Sequence, residues 1–350
     1  MPITRHRLGS FAVTAIGVAV VAVIGATTIA LTARHPNPTT ANRTGDGAAS
    51  AAEPLHVTLS TRPGSYLGVY ERGVPRSYAP VERFALAVGR QPNLVLYYSG
   101  WGDPFQVGFA RQARAHHAIP FVQMEPWHAS MAAIASGRFD AYLASYAHAV
   151  AAYRYPVLLG FAHEMNGNWY PWGWTHADPA NWIAAWRHVV TTFRRAGARN
   201  VTWIWTANQD GPGNAPLRAY WPGPKYVDWI GITGYLYFPQ QTFAGSYVPT
   251  IEALRRFAHR PILISEVAVG QRAGQAGKIP GLFSVIRTHR LLGFVWFDKS
   301  QDAGPYHQDW RLEGHPAAIS VFRRALRHYP DRGQSRIGPA GSGPAGPLRL

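Results

Sequence analysis

The sequence predicts a single (β/α)8 TIM barrel of the α/β class. Three observations carry this: eight short apolar runs bounded by turn residues, helical spacing between most of them, and a span of about 270 residues, near the size of one such barrel. The runs are Ser65–Tyr70, Leu94–Tyr98, Ile119–Met124, Val157–Ala162, Val201–Thr206, Trp229–Thr233, Pro261–Ser265 and Gly293–Phe297. They are apolar at nearly every position instead of alternating, as expected of parallel strands covered on both faces. Helical stretches are expected at Pro80–Gly89, Pro104–His117, Phe139–Tyr153, Pro179–Ala196, Pro249–His259, Pro280–Arg290 and Pro316–His328. Many open on proline, whose missing N–H has no partner in a first helical turn anyway. Only the link after the fifth run is weak, with a short piece around Ala215–Tyr220. No GxGxxG or GxxxxGK[ST] follows the first run, so an open nucleotide-binding sheet would lack its phosphate cradle.

The ends of the chain read differently. Arg5, His6 and Arg7 precede an uncharged stretch whose centre, Phe11–Leu31, is long enough as a helix to cross roughly 30 Å of hydrocarbon. Residues 1–33 are therefore expected to be a signal peptide or membrane anchor, with the basic flank inside and the remainder extracellular, either secreted or tethered to the outer face of the membrane. Residues 34–61 read as a flexible linker, 62–330 as the catalytic barrel, and 331–350, rich in Gly, Pro and Ser, as a disordered tail.

Composition narrows the functional classes. At 47% hydrophobic and 15% charged residues the chain can bury a large core. Its net charge of +16 comes almost wholly from arginine, lysine standing only at 225, 278 and 299, and no basic run of five or more occurs. That reads as compositional bias, and no nucleic-acid partner is expected. Absence of cysteine excludes disulfides, thiolate metal sites and cysteine nucleophiles.

In such barrels the reactive groups stand where strands end. That filter selects Glu125, His163 and Glu164, Asn208 and Asp210, Tyr235, Glu266, and Trp296 and Asp298. The fourth and seventh strands lie across the barrel from one another, so Glu164 and Glu266 would face each other over the mouth. A retaining glycosidase needs two carboxyl groups roughly 5–5.5 Å apart, one attacking the anomeric carbon and one protonating the leaving oxygen. Tyr235 is a plausible donor to Glu266. His163 adjoins Glu164, but adjacent strand residues face opposite ways unless a bulge intervenes.

The stretch after the fourth run, HEMNGNWYPWGW, sets Trp169, Tyr170, Trp172 and Trp174 among Asn, Gly and Pro. Rings this dense usually belong to a core; in a loop they suit stacking on sugars, and with Trp101 and Trp127 they would line a cleft. Glu125 suits either sugar binding or a structural ion pair. His163-Glu164 is not a zinc motif, since position 167 is Gly where HExxH requires the second histidine.

Gly160-Phe161-Ala162-His163-Glu164-Met165-Asn166-Gly167-Asn168-Trp169, Gly234-Tyr235, Ile264-Ser265-Glu266 and Trp296, in that order and at those strand ends, resemble glycoside hydrolase family 26 of the retaining clan A barrels. The resemblance covers roughly residues 64–325 and is β-mannanase-like. It implies Glu164 as acid/base, Glu266 as nucleophile, Tyr235 as hydrogen-bond partner of the nucleophile, and His163, Trp169 and Trp296 at the subsite of cleavage. It further implies an O-glycosyl hydrolase, endo-acting on β-1,4-mannan, with mixed-linkage β-glucan or an exopolysaccharide made by the cell as alternatives. No cofactor or metal is expected. Two departures from the mannanase pattern are Phe297 in place of a basic residue and Glu125-Pro126-Trp127 where a histidine is usual. A polysaccharide-binding barrel without catalysis is the rival class, and retention of both glutamates counts against it.

Overall fold

In a computed structural model the chain is described over residues 59–211, 213–300 and 308–330. Eight parallel strands close on themselves in sequence order: β1 (Tyr66–Pro75), β2 (Leu94–Gly100), β3 (Ile119–Glu125), β4 (Val157–Phe161), β5 (Val201–Asn208), β6 (Trp229–Leu236), β7 (Ile262–Val269) and β8 (Gly293–Asp298). β8 pairs with β1 from Tyr66–Gly293 to Glu71–Asp298, which completes the ring. The closed (β/α)8 barrel is the predicted one.

Helices surround it: α1 (Ala79–Val88), α2 (Val107–Ala115), α3 (Met131–Ala135), α4 (Asp140–Tyr153), α5 (Pro179–Arg195), α6 (Phe243–Arg255), α7 (Gln275–Thr288) and α8 (Pro316–Arg327). α5 illustrates why they form. Asp178 caps it, accepting from the Asn181 N–H (2.9 Å), Pro179 opens it, and Trp182, Trp186, Val189, Val190 and Phe193 make one buried stripe. The β5–β6 link holds only a single 3-10 turn, Leu217–Tyr220, as the weak pattern there foretold.

Three boundaries differ from expectation. Six strands run one to four residues past the expected run, and β1 five, because in most of them the ladder still holds these ends, Asn208 opposite Thr233 for example. α6 and α7 start before their prolines: Thr242 caps α6, accepting from the Gly245 N–H (3.0 Å), so Pro249 falls inside the helix, as Pro280 does in α7. The short α3 has no sequence signal beyond its cap Ser130.

No helix among the described residues is long and apolar enough to cross a membrane. The expected anchor at Phe11–Leu31, with the rest of residues 1–33, lies outside the described residues, as do almost all of the 34–61 linker and the 331–350 tail.

Candidate active site

Every strand sends at least one side chain to the mouth at its C-terminal end. Tyr70 of β1 stacks on Phe297 of β8 (4.6 Å, 17°) and meets Tyr98 of β2 edge-on (5.2 Å); Phe297 in turn meets Tyr235 of β6 (5.6 Å), and Tyr98 meets His163 beyond β4 (5.7 Å). Glu125 and Asn208 end β3 and β5. This aromatic ring encloses the two carboxylates, both buried.

Two backbone irregularities aim them. Past the end of β4, Ala162 (φ 47°) and Glu164 (φ 55°) take the left-handed conformation, which costs a non-glycine residue about 1 kcal/mol or more. The turn they make lets the adjacent His163 and Glu164 both face the mouth, while the Glu164 N–H still donates to the Thr206 carbonyl (2.9 Å). On β7 the register against β6 jumps from Ile232–Ile264 to Thr233–Glu266, leaving Ser265 as the extra residue of a bulge. Ser265 and Glu266 therefore both look inward.

Neutral donors hold the carboxylates. Glu164 Oε2 accepts from Trp169 Nε1 (2.8 Å) and Oε1 from Asn208 Nδ2 (3.0 Å). Glu266 Oε2 accepts from the Tyr235 hydroxyl (2.7 Å). Trp169 reaches Glu164 only because residue 167 is glycine: a Cβ there would lie 2.3 Å from the indole ring. Trp127 Nε1 donates to Glu125 Oε2 (3.0 Å), and His163 Nε2 lies 3.2 Å from the Tyr170 hydroxyl and 3.9 Å from Glu125 Oε1. Among the described residues no lysine or arginine pairs with Glu125, Glu164 or Glu266.

Burial sets the electrostatics. It pushes Glu266 up to about 8, with the Glu164 charge adding to the rise and the Tyr235 and Tyr98 hydroxyls opposing it. It raises Glu164 as well, against the donors Asn208, Thr233 and Trp169, and lifts Glu125 to about 7 against Trp127. Burial alone drives His163 down to about 3, so its imidazole is neutral and its approach to Glu125 is dipolar, not ionic. The Glu164 charge thus disfavours ionisation of Glu266, on top of the cost of burial.

Of the sequence-selected residues, Glu164, Glu266, His163, Tyr235, Asn208, Trp169, Glu125 and Trp127 are brought together here. Two are not. Trp296 is fully buried on the outer face of β8, against Phe322 of α8, its Nε1 donating to Asp298 Oδ1 and the Trp310 carbonyl (both 3.1 Å). Strand alternation puts Phe297, one residue on, in the mouth instead. Trp101 packs on Phe139, Tyr142 and Phe161, in the layer between barrel and helices. In the aromatic loop, Tyr170 and Trp172 are buried and stacked on each other (4.4 Å, 8°), with Trp172 Nε1 donating to the His163 carbonyl (2.6 Å), so they form the packed floor beneath the loop. Tyr98, Thr233 and Phe297 went unselected, though each stands near a strand end, and Thr233 shares the inward face of β6 with Tyr235 two residues on.

The sequence profile of glycosyl hydrolase family 26 matches residues 132–256. Endoglucanase H of Acetivibrio thermocellus is 29% identical over 270 residues, 73% of this chain and 29% of that protein. Beta-1,3-xylanase TXYA of a Vibrio species is 28% identical over 136 residues, 38% of this chain and 28% of that protein. The chain thus spans less than a third of the length of either. Among solved structures, the modular endo-β-1,4-mannanase of Cellulomonas fimi superposes with a TM-score of 0.63 at 13% identity, over 83% of this chain and 81% of that one, a likeness of fold.

Two expectations follow from the burial. A carboxyl held above its unfolded value keeps its proton in the folded state, so its stability contribution is whole below about pH 4.5 and declines as pH climbs toward 8. Glu266→Gln removes that loss. Scanning calorimetry should show the variant more stable than the native chain at pH 8, by roughly 1–3 kcal/mol, with the gap closing toward pH 4.5; a gap independent of pH would refute the buried-proton account. Trp296→Phe should lower stability by about 2 kcal/mol through lost volume and the lost Asp298 bond, with KM unchanged in steady-state kinetics.

Proposed function

We propose that this chain, matched over residues 132–256 by the profile of glycosyl hydrolase family 26, is an exported endo-β-glycanase that cleaves a β-linked polysaccharide with net retention, Glu266 acting as nucleophile and Glu164 as general acid/base. The observation that carries this is the pairing of two buried carboxyls in one mouth, each held by neutral donors and neither by a cation. A cation would lock one charge state, whereas indole, amide and phenol donors tolerate the change of protonation that each half-reaction requires.

In the first step a Glu266 oxygen bonds to the anomeric carbon as the glycosidic C–O bond breaks, and the leaving oxygen takes the proton from Glu164. In the second, Glu164, now a carboxylate, takes a proton from water, whose oxygen attacks the same carbon and releases Glu266. Tyr235 keeps Glu266 aimed; Asn208 and Trp169 keep Glu164 aimed. Glu125, with its one donor on Oε2, and Trp127 supply contacts for a flanking sugar. β-1,4-Mannan is the first substrate in this reading. Mixed-linkage β-glucan is the second, favoured by the 29% identity to Endoglucanase H over 270 residues. The apolar run Phe11–Leu31 supports placing the enzyme outside the cell, secreted or tethered.

Reducing-end release from galactomannan, glucomannan, barley β-glucan, xylan and cellulose tests the reading. One polymer should be cleaved, Glu266→Ala should abolish cleavage with the fold intact, and Glu164→Ala should lose most on substrates with poor leaving groups; full activity in Glu266→Ala would sink the assignment. Gly167→Ala should displace Trp169 from Glu164 and cut kcat about tenfold or more. Trp169→Phe should match that loss; if it keeps native kcat, the indole bond does not matter.

A further inference from the structure

The fold gathers arginines that the sequence scatters. In a closed parallel barrel each helix runs back against its strand, so helix ends and the connections into the next strand share the face opposite the mouth. The last turns of α2, α5, α6, α7 and α8 carry seven arginines there, Arg195, Arg255, Arg287 and Arg327 among them. The connections add Arg90, Arg154, Arg199, Arg256, Arg260 and Arg290. With Arg62 and Lys225 that makes fifteen basic residues, thirteen of them exposed, against two acidic ones, Asp228 and Glu252. Of the other twelve described acidic residues, eleven lie at strand C-terminal ends or in the loops and first helical turns that follow, while Glu82, in the first turn of α1, pairs with His116 at the end of α2 (3.4 Å).

Compensation of helix ends does not account for this. A helix C-terminus presents about half a negative charge, yet α5 is followed down by Arg194, Arg195 and Arg199, and α6 by Arg255, Arg256 and Arg260. Between these two groups opens a cavity of about 650 Å³ lined by Arg194, Arg199 and Arg260. Its carboxylate, Asp228, is engaged by the Trp203 backbone N–H (2.8 Å), and among the described residues no ion pair joins the three arginines to an acid. Arg260 Nε is buried there without a partner.

We propose that this face docks on an anionic phospholipid surface, with a lipid phosphate entering the Arg194–Arg199–Arg260 cavity. Breadth favours a surface over a threaded polymer, since the charge surrounds the barrel end and follows no groove. The described chain also both starts and ends at this face: Leu59 lines the cavity, and Pro330 packs 3.1 Å from the Cβ position of Gly64. In the proposed reading, in which the apolar run Phe11–Leu31 tethers the chain, only residues 32–58 of the sequence separate that run from Leu59 at this face. Docked so, the mouth faces away from the membrane.

Flotation of the full chain with phosphatidylcholine vesicles, with and without roughly a third phosphatidylglycerol, tests this without recourse to catalysis. Anionic vesicles should be preferred. The triple variant Arg194→Glu, Arg199→Glu, Arg260→Glu should lose about tenfold or more of its partition onto them, while its binding to neutral vesicles, which reads the apolar run alone, stays unchanged. The corresponding triple lysine variant should retain the preference. Should the triple reversal fail to fold by circular dichroism, Arg199→Glu alone, outside every helix, gives the same test with a smaller loss. Native binding of anionic vesicles by the charge-reversed chain, or no anionic preference in the native chain, would overturn the proposal. So would stronger capture by a soluble polyanion such as heparin or polyphosphate than by vesicles, which would give the face to a polymer.

Discussion

Strand alternation is the constraint on which the mouth depends. A barrel strand offers every second residue to the interior, so a site that needs Glu164 beside His163, and Glu266 just beyond Ser265, cannot come from regular strands. Left-handed backbone at Ala162 and Glu164 breaks the rhythm at one end of the pair, and the Ser265 bulge breaks it at the other. The closed ladder around them holds both distortions in place, because β4 and β7 are each fixed on two sides. What surrounds the carboxyls then follows: Asn208, Thr233 and Tyr235 come from regular alternation on β5 and β6, while Trp169 arrives by way of a loop folded over Tyr170 and Trp172.

The same enclosure that aims the carboxyls makes their charge expensive. With no cation paired to them among the described residues, the protein keeps them by distributing weak neutral donors and by raising both toward their protonated forms. Such a site is less stable than an apolar barrel mouth would be, and its balance is set by exclusion of water as much as by any contact. The aromatic wall of Tyr70, Tyr98 and Phe297 is thus part of the electrostatics.

Much of this was legible in the sequence, for reasons particular residues make plain. Apolar runs announce buried parallel strands, so barrel and strand order could be read directly, and the strand-end filter reached both carboxyls because acidic residues are few. Trp296 misled because nothing in a linear sequence tells the two faces of a strand apart; only the packing of α8 does, and it claims Trp296 while leaving Phe297 to the mouth. Trp101 misled because a loop aromatic can turn outward as easily as inward. The proline signal placed α6 and α7 too late, since it marks first turns well but does not forbid second ones. The basic face was invisible for a different reason: its charges are far apart in the chain and meet only through the antiparallel return of the helices.

The bulge at Ser265 makes the identity of this site a matter of phase. Were the bulge ironed out with Ser265 kept, Ser265 would stand opposite Thr233, every later residue of β7 would slip by one, and the carboxylate would turn toward the helices. Losing Ser265 itself would do no such harm, because Glu266 would keep its place opposite Thr233. The site therefore tolerates a shorter β7 better than a smoother one.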